Sequence, residues 1–204
     1  YEEARRVVTG FIGASEPEEL IFTRNTTEAI NIVAFSWAEK NLSEGDEILV
    51  TELEHHSNLI PWQRVCERVG ARLVHVPLEE NGDLAVDQVI NMAGKRTKLI
   101  ALTHVSNVLG TVVDIYHLVK AIRKVGSKAK ILVDGAQSVP HMPIDVAELD
   151  IDFLAFSGHK MLGPMGIGGL WVRKNLFSQM DPFLVGGGMI NKVTKTSATW
   201  ADIP

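Results

Sequence analysis

The sequence predicts an α/β protein in which helices cover both faces of a mostly parallel sheet. Apolar runs typical of buried strands alternate with stretches of helical character along the 204 residues. Strands that alternate with helices in this way form parallel sheets sandwiched by helices. Polar residues follow several of these strands, and ligands of such sheets bind beyond the carboxyl ends of the strands.

The predicted elements alternate in chain order, and turn residues mark several of their ends. Gly45-Asp46 and Asn81-Gly82-Asp83 are predicted turns, and Pro61 suits the first turn of a helix. Strands are predicted at 20–22, 47–51, 72–76, 98–103, 130–133, 152–156 and 167–172. Helices are predicted at 1–12, from Thr26 or Thr27 to 35, and at 61–70, 86–94, 114–126 and 175–180. The tail at 186–204 is less regular, and we expect a loop over the site there.

Composition and charge exclude several classes of protein. The chain is 46% hydrophobic and 22% charged, as is ordinary for a globular domain. Its net charge is −5 without a basic stretch, which argues against nucleic acid as a partner. There is no apolar run of membrane-spanning length and no visible signal peptide, so no membrane partner is expected. A single cysteine, Cys66, permits no intrachain disulfide and fits a reducing compartment.

A lysine and an acid each follow a buried strand. Lys160 comes after the apolar run 152–156 and the small residues Ser157 and Gly158, and Asp134 comes directly after 131–133. A pyridoxal phosphate (PLP) enzyme requires this pair, because the lysine bonds covalently to the cofactor and the acid keeps its ring nitrogen protonated. The alternatives are a surface lysine in a Gly-rich loop and an aspartate that caps a helix.

Five further positions could bind other parts of such a cofactor. Gln137 could donate to its phenolate oxygen, while Ser157 and His159 could hold its phosphate. Thr26 and Thr27 begin a helix, where backbone N–H groups and a hydroxyl form an anion site. The alternatives are a solvated helix face, a turn serine and plain helix capping, which is compatible with anion binding.

Histidine and asparagine side chains follow two other strands. Of the adjacent His55 and His56, we expect one to stack on the cofactor ring, whereas metal binding is disfavoured because no second histidine stands at ligand spacing. Asn107 could reach the cofactor edge or the substrate, and its alternative is a turn asparagine. Cys66 lies among apolar helix positions and is predicted to pack in the core.

These motifs together resemble the class V aminotransferase group of fold-type I PLP enzymes, and within it the SUF-type cysteine desulfurases and selenocysteine lyases. The matching segments run in family order over almost the whole chain. They are Phe22-Thr23-Arg24-Asn25-Thr26-Thr27-Glu28-Ala29-Ile30-Asn31, Glu54-His55-His56-Ser57-Asn58, His104-Val105-Ser106-Asn107-Val108-Leu109-Gly110, Val133-Asp134-Gly135-Ala136-Gln137, Ser157-Gly158-His159-Lys160 and Gly186-Gly187-Gly188-Met189-Ile190.

The resemblance assigns a role to each site residue. Lys160 becomes the PLP lysine, Asp134 the partner of the ring nitrogen and His55 the stacking imidazole. It further implies that Gln137 contacts the phenolate oxygen, that Asn107 lies near cofactor and substrate, and that Thr27, Ser157 and His159 hold the phosphate. In the implied reaction Lys160 acts as a base, and L-cysteine (or L-selenocysteine) yields alanine and a persulfide.

The resemblance also implies features of the protein outside these motifs. The family's nucleophilic cysteine and carboxylate-binding arginine are expected in a later segment, and Cys66 does not match that cysteine. Met165 stands where relatives often carry a smaller or polar residue. A homodimer, a sulfur-acceptor protein and a role in iron–sulfur cluster assembly are implied, in the cytoplasm or in an organelle such as a plastid.

The chain starts with Tyr1 in helical sequence without an initiator Met. We therefore expect residues 1–204 to be an incomplete PLP-binding large domain, with an N-terminal segment and a small C-terminal domain outside it. A processed or naturally short chain is the alternative. Two other functions remain open, namely a selenocysteine lyase or other class V enzyme, and an inert fragment that acts as a binding module.

Overall fold

A computed structural model describes residues 1–201, and its centre is a seven-stranded sheet between helices. The strands of this sheet are β1 (Leu20–Thr23), β2 (Glu47–Thr51), β3 (Arg72–Val76), β4 (Thr97–Thr103), β5 (Lys130–Asp134), β6 (Phe153–Ser157) and β7 (Gly168–Val172). The α-helices are α1 (Glu2–Phe11), α2 (Thr26–Ile32), α3 (Glu39–Asn41), α4 (Ile60–Val69), α5 (Val86–Met92) and α6 (Ile115–Lys124). None of the helices within residues 1–201 is long and apolar enough to cross a membrane.

The strand order is β1-β7-β6-β5-β4-β2-β3. The strands β3, β2, β4, β5 and β6 pair in parallel, whereas β7 runs antiparallel to both β6 and β1. The predicted mostly parallel sheet with helices is therefore confirmed. Because the sheet reverses only at β7, the ends of β2, β4, β5 and β6 meet along one edge.

The two faces of the sheet form two apolar layers. Alternate residues along a strand point to opposite faces, so Leu49 packs in one layer and Val50 in the other. The first layer includes Ile115 and Leu118 of α6, and the second includes Ala29 of α2 and residues of α4. Burial on both faces explains why the central strands are apolar runs rather than alternating sequences.

Two predictions of helix ends have different outcomes. The helix that begins near Pro61 ends as predicted, with Gly70 in the left-handed conformation (φ 73°) after Val69. The helix near Thr26 is capped by Asn25 instead of a threonine, because the Asn25 side chain accepts the Glu28 N–H at 2.9 Å. This helix continues as a π-helical segment, Val33–Ala38, into α3.

The tail contains a hairpin that the sequence analysis did not predict. Strands β8 (Ile190–Val193) and β9 (Ala198–Trp200) pair antiparallel as a separate two-stranded sheet. Gly188 lines an apolar cavity with Phe183 and Trp200, and none of these three residues lines the cavity that contains Lys160. The last three positions of the predicted loop, 202–204, lie outside the described residues.

Candidate active site

The predicted site residues come together at the carboxyl edge of the sheet. The adjacent strands β2, β4, β5 and β6 end there, at Thr51, Thr103, Asp134 and Ser157. A cavity of about 300 Å³ opens at this edge. All eight predicted residues line it: Thr27, His55, Asn107, Asp134, Gln137, Ser157, His159 and Lys160. The sheet topology thus collects residues that are far apart in sequence.

A tight turn after β6 presents Lys160 to the cavity. The turn Gly158–Lys160 is a single 3₁₀ turn, and its Gly158 N–H donates to the Ile167 carbonyl at 2.8 Å. A Cβ at Gly158 would lie 2.8 Å from Ile167 Cγ2, so only glycine allows this close approach. His159 and Lys160 are exposed along the cavity, where their side chains are accessible to a ligand.

Asp134 supplies a buried carboxylate to the same cavity. Its Oδ1 accepts the Ala136 N–H at 2.9 Å, and within residues 1–201 this is the only hydrogen bond of the side chain. Burial raises the pKa of Asp134, while the Ala136 N–H and the charge of Lys160 oppose that shift. A buried carboxylate with free acceptor capacity suits a ligand that carries a cationic N–H group.

The ring of His55 lies exposed at the cavity and is held by Ser57. His55 Nδ1 accepts the Ser57 backbone N–H at 3.1 Å and lies 2.7 Å from Ser57 Oγ. An accepting Nδ1 carries no proton, so the neutral ring has its hydrogen on Nε2. Ser57 is not among the site residues predicted from sequence, although the His-x-Ser spacing brings its backbone and hydroxyl within reach of the ring.

The start of α2 and the end of β6 meet across the cavity. Ser157 Oγ accepts the Thr26 N–H at 2.8 Å and lies 2.6 Å from Thr26 Oγ1. Gly168 permits this contact, since a Cβ there would lie 2.9 Å from Asn25 Cα. If Thr26 Oγ1 donates to Ser157, the Ser157 hydroxyl keeps its own hydrogen for a ligand oxygen, beside exposed Thr27.

Gln137 and Asn107 lie on two further sides of the cavity. Gln137 is half-buried in the turns after β5, and Asn107 is exposed in the turn after β4. Asn107 is therefore a turn asparagine, as in its alternative interpretation, and it also lines the cavity. The cavity contains other residues to which the sequence analysis gave no ligand role: Asn25, Thr103, Val105 and Ala136.

Two other candidates contribute no chemistry at this site. Cys66 is buried in the apolar layer of α2 and α4, and burial raises the pKa of its thiol to about 11, so it packs in the core as predicted. Met165 is 86% exposed and its side chain therefore packs little against the fold. Across positions 1–201, no three His, Cys, Asp or Glu side chains are grouped so as to hold a metal ion.

Comparisons with known proteins match the whole chain. A family model described as aminotransferase class-V matches residues 1–204. A probable cysteine desulfurase of Halalkalibacterium halodurans is 50% identical over 204 residues, which are 100% of this chain and 50% of that protein. The chain thus spans about half the length of the curated relatives it matches.

Solved structures share both the fold and part of the sequence. The cysteine desulfurase CsdA of Escherichia coli superposes with a TM-score of 0.94 at 40% identity, over 100% of this chain and 51% of CsdA. A variant of C-DES that has glycine covalently linked to its PLP cofactor superposes with a TM-score of 0.86 at 28% identity, over 99% of this chain and 53% of C-DES. These structures share the sheet and helices described above.

Proposed function

The chain belongs to the aminotransferase class-V family, and we propose that it forms the PLP-binding part of a cysteine desulfurase. Such an enzyme converts L-cysteine to L-alanine and passes the sulfur on as a persulfide. The observation that carries this proposal is that Lys160 and the buried Asp134 share one cavity at the carboxyl edge of the sheet.

The residues of the cavity fit PLP. Asp134 has free acceptor capacity for the ring nitrogen, His55 has a neutral ring that can stack on the pyridine, and Lys160 is exposed for a covalent bond. The exposed Thr27 and His159 with the hydroxyl of Ser157 form a polar end for the phosphate oxygens. PLP would supply an electron sink that stabilises negative charge at the substrate carbon.

Each side chain has a defined task in this proposal. Asp134 keeps the proton on the ring nitrogen, and Gln137 donates from its amide to the phenolate oxygen. Lys160 would hold the cofactor through its Nζ, and the same amine, when free, would accept a proton from the substrate Cα and return it to the product. Asn107 and His55 limit the volume beside the substrate.

The sulfur needs a thiolate acceptor other than Cys66. When the C–S bond of L-cysteine breaks, an exposed thiolate attacks the sulfur, the carbon keeps the electron pair, and a proton then completes L-alanine. Cys66 cannot play this role because its thiol is buried and stays protonated at neutral pH. We assign the sulfur uptake and the binding of the substrate carboxylate to residues outside 1–204.

We extend the proposal to the protein's assembly and setting. We propose a homodimer, transfer of the persulfide sulfur to an acceptor protein and supply of iron–sulfur cluster assembly, as the family resemblance implies. A cytoplasmic location is proposed because the sole cysteine of the chain is free and buried, as suits a reducing compartment. Light scattering on the purified full-length protein tests the dimer, for which the expected mass is twice that of one chain.

Absorbance and product analysis test the proposed function. The full-length protein with PLP should show a visible absorption band from the lysine-bound cofactor and should form alanine from L-cysteine. Lys160→Ala should lose the band, and activity should fall on the order of a thousandfold or more. Lys128→Ala removes an exposed lysine that precedes β5, at the edge of the sheet opposite the cavity, and should leave both unchanged.

The substrate and the rival functions are decided by the same assay. L-cysteine and L-selenocysteine are compared as substrates, so that a large preference for selenium would identify a selenocysteine lyase. Amino-group transfer to a keto acid without sulfur release would identify an aminotransferase. A folded wild-type protein that shows no visible band with PLP would contradict the proposal and favour a binding module.

A further inference from the structure

Glu54 joins three elements beneath the candidate active site. It is half-buried in the turn after β2, and its Oε1 accepts both the Thr51 hydroxyl at 2.6 Å and the Thr103 backbone N–H at 2.9 Å. Its Oε2 accepts the Asn58 side-chain amide at 2.6 Å. The carboxylate therefore ties the ends of β2 and β4 to the segment that precedes α4.

A second set of contacts anchors this network in the core. Asn58 and Trp62 are fully buried, and Asn58 Oδ1 accepts the indole N–H of Trp62 at 3.0 Å. Because an indole can only donate, this bond fixes the orientation of the Asn58 amide, whose NH₂ group must then face Glu54. The contacts Glu54–Asn58–Trp62 thus form one ordered path from the turn into α4.

The residue between the two ends of this network is His55. Glu54 precedes it, and the Ser57 and Asn58 that follow are buried and bonded, so the backbone on both sides of the exposed His55 ring is held. We propose that Glu54 is a positioning residue that fixes this turn and so holds the His55 ring at the cavity. This inference rests on the function proposed above, since it concerns the residue that would stack on the cofactor.

The protonation of Glu54 makes its contribution measurable. Burial raises the pKa of Glu54 to about 8, the donors Thr51, Thr103 and Asn58 oppose this shift, and the charge of Asp134 adds to it. The other ionisable groups at this edge are Asp134 at the end of β5, His159 and Lys160 after β6, and Glu52, His55 and His56 in the same turn. Ionisation of Glu54 near pH 8 therefore adds a negative charge to the residue directly before His55.

The fixed Asn58 amide makes glutamine an unsuitable replacement for Glu54. A protonated Glu54 can carry its hydrogen on Oε1 towards the Thr51 oxygen and still accept from Thr103. A glutamine must instead turn its NH₂ group towards either the Asn58 NH₂ or the Thr103 N–H. In either arrangement two N–H donors face each other without an acceptor. Glu54→Gln should therefore disturb the turn although its size is almost unchanged.

The test observes the His55 ring directly, in the full-length protein without cofactor. Histidine labelled with ¹⁵N gives ring signals that separate the two nitrogens, and His55→Asn assigns those of His55. We expect Glu54→Gln and Glu54→Ala to shift these signals towards a mixture of tautomers and to remove a step near pH 8 that the wild type shows. Glu52→Gln, an exposed acid of the same turn, is the matched control and should change neither.

Two further measurements make the outcome decisive. Trp62→Phe keeps the carboxylate but frees the Asn58 amide, so it should shift the His55 signals in the same direction by a smaller amount, even if Glu54→Ala does not fold. PLP affinity should fall about tenfold in Glu54→Gln, the effect of one lost hydrogen bond. Wild-type His55 signals with an unchanged pH step in a folded Glu54→Gln would overturn the inference. Failure of the wild type to bind PLP would contradict the proposed function alone.

Discussion

In the described part of the chain, buried acidic residues have cationic partners at the amino edge of the parallel strands and only uncharged partners at the carboxyl edge. At the amino edge, Asp152 lies just before β6 and contacts Arg123 at 3.1 Å and Lys130 at 3.3 Å. At the carboxyl edge, Asp134 and Glu54 are bonded only by uncharged donors among the described residues. Burial raises the pKa of both carboxyl-edge acids.

This difference indicates that the acids of one edge stabilise the fold, whereas those of the other edge bind a ligand. An acid that is paired with cations within the chain contributes to the folded state and has little capacity left for a ligand. A buried acid without such a cation destabilises the ligand-free protein, and its free acceptor capacity favours a charged ligand. The amino edge therefore holds the fold together, while the carboxyl edge is prepared for the cofactor.

The largest expected effect is a loss of activity at Asp134 that is not accompanied by a loss of stability. Asp134→Asn should lower desulfurase activity about a thousandfold, because an amide does not keep the ring nitrogen protonated. The cofactor-free protein should change its free energy of unfolding by less than about 1 kcal/mol, since the substitution removes a buried charge and keeps the acceptor for Ala136. Alanine formation and urea denaturation measure the two quantities, and a large loss of stability would contradict the comparison.

The second prediction is the converse at the amino edge. Asp152→Asn should reduce the free energy of unfolding by about 3 kcal/mol, because Arg123 and Lys130 would lose their buried partner. The Ile131 N–H, which donates to the same carboxylate at 2.9 Å, would keep an acceptor. PLP affinity of the folded fraction should stay as in the wild type. If affinity fell in parallel with stability, the two edges would not be independent.

The positions of the site residues could be predicted from sequence because strand ends are local features. Asp134 directly follows one apolar run and Lys160 lies in the short turn after another, so their common edge follows from the parallel topology. The role of Glu54 could not be predicted in this way, since its contact with the Thr103 N–H spans 49 residues. The same holds for the bond between the Thr26 N–H and Ser157, which spans 131 residues.

The third prediction uses pH to examine the carboxyl edge. The pKa of Glu54 rises from 4.5 to about 8 on folding, so this residue stabilises the folded state below pH 4.5 and loses that contribution as the pH rises towards 8. Between pH 7 and 8 the wild type should lose about 1 kcal/mol of stability from this residue. Burial lowers the pKa of His104 below its usual value of 6.5, so its contribution to stability increases with pH instead. That contribution is complete above pH 6.5 and does not change between pH 7 and 8.

Denaturation at both pH values measures this loss. Glu54→Gln should flatten the decrease because its side chain does not titrate, whereas Glu52→Gln should keep it. An equal decrease in Glu54→Gln and in the wild type would assign the titration to another group. That result would leave Asp134 as the candidate at this edge, because its pKa shifts in the same direction.

The smallest expected effect is at an exposed arginine of the amino edge. Arg96 contacts Glu47 at 3.1 Å with a side chain that is 68% exposed, and Arg72 approaches the same carboxylate at 3.9 Å. Arg96→Ala should therefore cost less than about 0.5 kcal/mol, and the loss should shrink in high salt because solvent already screens this charge. Denaturation at low and high salt measures it. A salt-independent loss well above that value would mean that this edge depends on single ion pairs, whereas a small one supports stabilisation shared among several cations.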